Sequence, residues 1–211
     1  IVSQAHPEIV RELFELEVPE IEDGIVEIKS IAREAGFRTK LAVWSNDPSV
    51  DSVGACIGPR GSRIQTIVGE LKNEKIDIVR YSQDPVEYIV NALSPARIIS
   101  VDILADDENR KEVFVIVPDD QLSLAIGREG QNVRLAHRLT GWKIDIKSET
   151  QARAMEDERE KQMLEEMKTQ EEEQQEQAVE QEVEQVLEED EKVLGEAQDE
   201  VQEEQAQEED A

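Results

Sequence analysis

The sequence predicts an α+β protein made of two tandem copies of one unit: helix, β-hairpin, helix, GxxG loop, helix and strand. Two observations support this prediction. The segment IGPRGSRI at 57–64 aligns with IGREGQNV at 126–133, and the motif KIDI occurs at 75–78 and again at 143–146. The apolar periodicity around both copies also changes between helical and strand spacing in the same order. Each copy is long enough to form a small domain.

In the first copy, apolar residues at helical spacing predict a helix over 7–17 that is ended by Pro19 and Gly24. Alternation and β-branched content before Gly36 predict a strand, and the run after Gly36 predicts its partner in a hairpin. The remaining elements follow in the order of the unit. We predict the two strands at 25–31 and 38–45, a short helix at 50–57, the GPRG loop at 58–61, a helix at 62–71 and a strand at 75–80.

In the second copy, Asp84 and Pro85 predict a helix start, because a carboxylate caps the first N–H groups and proline suits the first helical position. Pro95 ends that helix. The rest repeats the first copy. We predict strands at 97–104 and 113–117, a helix at 118–126, the GREG loop at 127–130, a helix to residue 139 capped by Gly141, and a strand at 142–147.

Composition places the end of the folded part near Ser148. All aromatic residues, all prolines and nine of the ten glycines lie within the first 150 residues, and cores and turns need these residue types. From Gln151 onward, 5 Lys and Arg stand against 25 Asp and Glu, so this segment carries −20 of the net charge of −28. We predict domains over 1–81 and 82–148, followed by a disordered or partly helical acidic tail over 149–211.

Several classes of function are disfavoured. The sequence has no GxxxxGK[ST] loop, and its single Cys56 and distant His6 and His137 do not have the spacing of a metal site. We therefore expect no enzyme, no catalytic residue, no metal and no cofactor, and a buried, inert thiol at Cys56. The sequence shows no signal peptide and no membrane-spanning apolar run, so we expect a soluble, cytoplasmic monomer without a membrane partner. The start at Ile1, without Met, suggests a fragment.

Each GxxG loop is a candidate contact for nucleic acid. Glycine has backbone conformations that other residues avoid and, lacking Cβ, lets a ligand backbone approach closely. A helix begins at each loop, so its unpaired N–H groups and positive dipole end favour phosphate. KH domains clamp about four nucleotides of single-stranded RNA with such a loop. The apolar neighbours expected to floor a groove for unpaired bases are Ile57, Ile64, Ile126 and Val133.

The predicted RNA-binding residues are the loops and their immediate neighbours: Ile57, Gly58, Pro59, Arg60, Gly61, Arg63, Ile126, Gly127, Arg128, Glu129, Gly130, Gln131, Asn132 and Arg134. We expect the two loops to contribute unequally, because Pro59 lacks an N–H group and Glu129 places a carboxylate where phosphate approaches. The first hairpin adds a further predicted basic cluster, formed by Lys29, Arg33, Arg38 and Lys40.

Several segments resemble the tandem-KH region of the NusA family of bacterial transcription termination and antitermination factors. The resemblance covers about residues 1–148 and is carried by VGACIGPRG, NEKIDIV, NALSPARI, LSLAIGREGQNVRLA and LTGWKIDIK. It implies two type II KH domains that bind nascent RNA beside RNA polymerase and modulate pausing, termination and antitermination. In that family an RNA-polymerase-binding domain and an S1 domain precede the KH pair. Neither is present in this sequence, so the resemblance assigns polymerase binding to no residue of this chain.

Two other functions stay open from the residues alone. The first is a KH RNA-binding protein of ribosome assembly or RNA decay. The second is a non-enzymatic protein-interaction module whose acidic tail recruits partners. The tail is also a candidate competitor of RNA for basic KH surface, because both carry negative charge.

Overall fold

Two three-stranded sheets and their helices form the folded part of the chain. The computed structural model describes residues 6–175 and 177, so the predictions for residues 1–5 and for most of the acidic tail lie outside the described residues. In each sheet two antiparallel strands form a hairpin, and the third strand runs parallel to the second. The predicted α+β fold, with two tandem type II KH units, is confirmed.

The first copy follows the predicted order, with one addition. Pro19 does not merely end the first helix, because it occupies the first position of a further short helix, where its missing N–H group costs no hydrogen bond. The first strand also extends beyond the prediction, since its pairing continues to Glu34 opposite Arg38. The elements are α1 (Glu8–Glu17), α2 (Pro19–Glu22), β1 (Val26–Glu34), β2 (Arg38–Ser45), α3 (Ser52–Ile57), α4 (Ser62–Glu70) and β3 (Lys75–Arg80).

The second copy differs from the prediction mainly in its hairpin. The Asp107 carboxylate accepts hydrogen bonds from the N–H groups of Asn109 and Arg110, which tightens the turn and lets both strands run closer to it than predicted. The predicted helix at 118–126 begins only at Leu122, after one 3-10 turn. The elements are α5 (Pro85–Ala92), β4 (Ser100–Asp106), β5 (Lys111–Val117), α6 (Leu122–Ile126), α7 (Gln131–Thr140) and β6 (Lys143–Ser148).

The folded part has two buried hydrophobic clusters, and the two copies share one of them. One buried cluster lies within the first copy and contains Phe14, Leu41 and Cys56. A second cluster joins Ala42 and Val79 of the first copy to the apolar residues of α5, α7 and the second sheet. Strand β2 is therefore buried on both faces, because its own helices cover one face and the second copy covers the other. The burial of Cys56 raises the pKa of its thiol to about 12, consistent with an inert residue.

The chain divides into a compact unit of residues 1–153 and a second unit of residues 154–211. In the described part of the second unit, residues 154–175 are helical and their side chains are exposed. The prediction of a partly helical tail agrees with this segment. Among the helices of the described residues, none has an apolar stretch long enough to cross a lipid bilayer.

Candidate nucleic-acid interface

The first glycine of each GxxG loop has a backbone conformation that is almost exclusive to glycine. Gly58 has φ 75° and ψ 171°, and Gly127 has φ 77° and ψ 169°. The following helix also comes very close. A Cβ atom at Gly127 would lie 2.7 Å from the backbone nitrogen of Asn132, and one at Gly58 would lie 2.6 Å from Cγ of Arg63. Glycine is therefore required at both positions by conformation and by space.

The remaining loop residues also match between the two copies. Arg60 and Glu129 occupy the third position, and each has φ 54°, a left-handed conformation that is strained for a non-glycine residue. The last glycines, Gly61 and Gly130, are left-handed too, with φ 78° and 73°. The N–H group of each last glycine donates to the carbonyl of the first, over 3.0 and 3.1 Å respectively. Two different sequences thus form one closed loop geometry.

The loops offer fewer free N–H groups than predicted. The N–H group of Ser62 donates to the carbonyl of Pro59, and that of Gln131 donates to the carbonyl of Arg128. Together with the bond from each last glycine, these bonds use two N–H groups at each junction of loop and helix. Attraction for phosphate therefore depends more on the positive ends of α4 and α7 and on exposed side chains, of which Arg128 is 93% exposed.

Two predicted RNA-binding residues hold the loops from inside instead. Arg63, whose side chain is 23% exposed, donates to the carbonyl of Ala55 over 2.7 Å and pairs with the carboxylate of Glu20 over 2.8 Å. Asn132 occupies the equivalent position in the second copy and is only 2% exposed. Its amide donates to the carbonyl of Ala125 over 3.0 Å and to a second backbone carbonyl. The predicted direct contact of Asn132 with RNA is therefore not supported, because the donors of its amide are already used inside the protein. Asn132 instead positions the loop.

Two further predicted residues of the second loop contact the first copy. Gln131 donates to the carboxylate of Glu34 over 2.9 Å, and Nε of Arg134 donates to the same carboxylate over 2.6 Å. These hydrogen bonds, that of Arg134 first, hold the pKa of Glu34 below its ordinary value. Arg134 also donates to the loop carbonyl of Glu129 over 3.2 Å. Glu34 lies about a hundred residues away in sequence, and no sequence signal pairs it with the loop.

The basic cluster predicted in the first hairpin is largely internal. Arg33 forms a buried ion pair with Glu74 at 2.9 Å, and Arg38 pairs with Asp77 at 2.7 Å. Lys40 is fully buried and lies 3.2 Å from the same Asp77 carboxylate. Burial lowers the pKa of Lys40, opposed by the attraction of Asp77. Arg33 and Lys40 stabilise the fold from within, so the prediction of a basic surface at these two residues is wrong, whereas Arg38 keeps a partly exposed side chain.

The predicted apolar neighbours lie beside the loops as expected. Ile57 is 37% exposed, and Ile64, Ile126 and Val133 are partly buried. Each loop is therefore flanked by apolar surface that is not completely covered by protein. Unpaired bases stack and pack on such surface.

A cleft of about 650 Å³ lies between the GREG loop and the first copy. The first copy contributes the turn of its hairpin and the start of β3. Sequence reasoning missed this cleft, since its two walls are far apart in the chain. The lining residues are Glu34, Gly36, Phe37, Arg38, Asn73, Lys75, Gly127, Arg128, Glu129, Gln131, Asn132 and Arg134.

Known proteins share both copies of this unit. Residues 4–81 match the family described as the NusA-like first KH domain, and residues 85–154 match the NusA-like second KH domain. The transcription termination/antitermination protein NusA of Halalkalibacterium halodurans is 62% identical over 155 residues, which are 74% of this chain and 40% of the relative. NusA of Bacillus subtilis is 61% identical over 154 residues, covering 73% of this chain and 41% of the relative.

A more distant relative and a solved structure agree with these matches. NusA of Thermus thermophilus is 50% identical over 167 residues, covering 76% of this chain and 42% of the relative. The chain thus spans about two fifths of the length of these relatives. The crystal structure of APE1850 superposes with a TM-score of 0.50 at 24% identity, covering 67% of this chain and 97% of that chain, which shows a common fold.

Proposed function

Residues 4–154 belong to the NusA-like KH domain family, and on this premise we propose that the chain binds single-stranded RNA through its two GxxG loops. We propose further that it does so as part of a factor that regulates RNA polymerase pausing, transcription termination and antitermination. The relatives that carry this family's domains are named for termination and antitermination. The RNA in this proposal is the nascent transcript, and contact with polymerase is assigned to no described residue.

The observation that carries the proposal is the equal geometry of two loops with different residues between their glycines. The loops at 58–61 and 127–130 agree within a few degrees at the first glycine, and both hold a non-glycine residue at φ 54°. Strained backbone of this kind persists where a loop serves as a ligand clamp.

The loop surroundings suit an unpaired RNA strand. The positive ends of α4 and α7, together with the exposed Arg60 and Arg128, attract phosphates. The apolar residues beside each loop offer surface to bases. Because stacking and apolar contacts share the work with the phosphates, we expect binding to fall moderately, rather than steeply, with rising salt.

The experiment is a titration of labelled, unstructured RNA with the chain and with variants of each loop. The variants change GPRG to GDDG (Pro59→Asp with Arg60→Asp) and GREG to GDDG (Arg128→Asp with Glu129→Asp). We expect each loop variant to weaken RNA binding by roughly tenfold or more, because the new carboxylates repel phosphate. We expect the double variant, in which both loops are GDDG, to lose RNA binding. If RNA binding survives in the double variant, the loops are not the RNA site and a protein-interaction role gains support.

The control has to separate a local effect from a general change of charge. Lys161→Asp changes the net charge by −2, as the second-loop variant does, in an exposed helical segment that has no GxxG loop. We expect this variant to bind RNA like the unmodified chain. Thermal unfolding of all variants then shows whether any loss of binding reflects loss of the fold.

We also propose the finer organisation that the sequence predicts. The domains span 1–81 and 82–148, and the acidic segment spans 149–211. The chain acts as a monomer in the cytoplasm, as a binding protein without a catalytic role. Support for a binding role comes from the loops and from the family of the relatives. Because one core joins the two copies, we expect separated domains to be less stable than the pair.

A further inference from the structure

The turn of the first hairpin presents an exposed aromatic side chain to the cleft beside the GREG loop. Phe37 is 71% exposed and lines the cleft of about 650 Å³ together with Gly127, Arg128 and Glu129 of the loop. Leaving an aromatic ring exposed to water costs free energy, which contact with a ligand would recover. Single exposed apolar residues are common on protein surfaces, so exposure alone assigns no role to Phe37.

The backbone that carries Phe37 is held in place on both sides. Its N–H group donates to the carbonyl of Glu34 over 2.9 Å, and its carbonyl accepts from the N–H group of Lys75 over 3.1 Å. The preceding N–H group, of Gly36, donates to the fully buried carboxylate of Glu74 over 2.8 Å. The ring therefore projects from a fixed backbone, and little conformational entropy is lost when a ligand contacts it.

The two walls of the cleft are also fixed relative to each other. Glu34, two residues before Gly36 on the hairpin, binds Gln131 and Arg134 at the start of α7. The side chain of Glu34 is only 18% exposed, so this contact is partly protected from solvent. A ligand on the GREG loop consequently meets the hairpin turn at a set distance.

Charge in the cleft favours a negatively charged ligand. The lining contains the basic residues Arg38, Lys75, Arg128 and Arg134 and the acidic residues Glu34 and Glu129. Arg38 and Arg134 are paired with carboxylates, whereas Lys75 has no ion pair among the described residues. Arg128 lies 3.9 Å from Glu129, and both side chains are more than 80% exposed, so this pair competes weakly with phosphate.

We propose that this cleft is a base-stacking subsite for single-stranded RNA, in which a nucleotide next to those on the GREG loop stacks its base on Phe37. Lys75 and Arg128 lie where they attract the phosphates of that nucleotide. The inference rests on the proposed RNA binding through the GxxG loops and adds a contact that lies outside either loop. Because stacking uses the π-face that every base has, the subsite tolerates any base.

The test compares variants at Phe37 in RNA titrations and in fluorescence of RNA that carries 2-aminopurine at one position after another. Stacking on an aromatic side chain contributes substantially to the affinity for each base, so we expect Phe37→Ala to weaken binding by roughly tenfold. We also expect it to remove the fluorescence change at a single RNA position. We expect Phe37→Trp to retain both the RNA affinity and the fluorescence change. We expect Phe37→Leu to lose both, because leucine has no aromatic ring.

The control is Leu16→Ala, which removes another exposed apolar side chain, 83% exposed, from α1 of the first copy. We expect RNA binding of this variant to equal that of the unmodified chain. If Phe37→Ala binds within twofold of the unmodified chain, or if Phe37→Leu restores binding, the stacking subsite is overturned. In that case the loss of binding in the GDDG variants still supports the loops. If the GDDG variants bind normally, RNA binding through the loops fails instead.

Discussion

Alanine at the two glycines of the GREG loop is expected to have very different costs. Gly127 has φ 77° and ψ 169°, a region in which a non-glycine residue costs about 1–3 kcal/mol. An added Cβ would also lie 2.7 Å from the backbone nitrogen of Asn132, so α7 has to shift, at a further cost of about 1–3 kcal/mol. We expect Gly127→Ala to lower the free energy of unfolding by about 2–6 kcal/mol.

The matched variant is Gly130→Ala in the same loop. Gly130 has φ 73° and ψ 15°, an ordinary left-handed conformation, and a Cβ there would meet no atom within 4 Å. Its cost is therefore only that of the left-handed backbone, about 1–2 kcal/mol. Gly58→Ala in the first loop provides an intermediate case, because its Cβ would meet the side chain of Arg63 rather than backbone. A flexible side chain moves away more easily than a helix.

The assay is urea unfolding followed by tryptophan fluorescence, to which Trp142, buried in the second copy, contributes together with Trp44 of the first copy. We expect the unfolding midpoint to fall most for Gly127→Ala, less for Gly58→Ala and least for Gly130→Ala, with unchanged slopes. Equal losses for Gly127→Ala and Gly130→Ala, within about 0.5 kcal/mol, would refute the argument that the close approach of α7 requires the first glycine.

Two further predictions concern the buried and interdomain carboxylates. Glu74→Gln removes one partner of the buried pair with Arg33, so we expect a loss of about 3–5 kcal/mol in the free energy of unfolding. Burial opposes ionisation of Glu74, but the hydrogen bond from Arg33 and the other hydrogen bonds to the carboxylate outweigh burial and lower the pKa of Glu74. The stabilising contribution of Glu74 is therefore complete above the ordinary pKa of 4.5 and is lost as pH falls through the folded-state pKa. Acid unfolding should consequently be less steep in the variant, and an unchanged pH profile would contradict this assignment. Glu34→Gln weakens the hold on Arg134 that fixes the two walls of the cleft, so we expect a loss of about 0.5–1 kcal/mol in stability and a few-fold loss of RNA affinity. The exposed Glu12→Gln makes the same change of charge and should leave both quantities unchanged; equal or tighter RNA binding by Glu34→Gln would show that the contact does not support the site.

The order of elements and the two loops could be predicted from the sequence, because they are encoded locally. Strands β2 and β3 have the bounds predicted from the sequence, and α5 begins at the Asp84 and Pro85 signal. Strand β4 begins three residues later and ends two residues later than the sequence predicts. The bounds of β4 are set by its pairing with β5, and a local sequence pattern does not specify which residues of two strands pair.

The roles of individual side chains were decided by the tertiary structure. Arg63 and Asn132 stand beside the loop glycines in sequence, yet the packing of each helix turns them inward to backbone carbonyls. Lys40 has the sequence context of a surface cation and is fully buried, because the second copy covers the outer face of β2.

By itself, the sequence determined that two GxxG loops stand at the starts of two helices, since glycine spacing and apolar periodicity are properties of neighbouring residues. Only the tertiary structure decided which surface surrounds those loops. It brought Glu34 and Phe37 of the first copy to the second loop, about a hundred residues further along the chain. Contacts at that separation depend on how the two copies share their core, and periodicity specifies which face of an element is buried without specifying its neighbour.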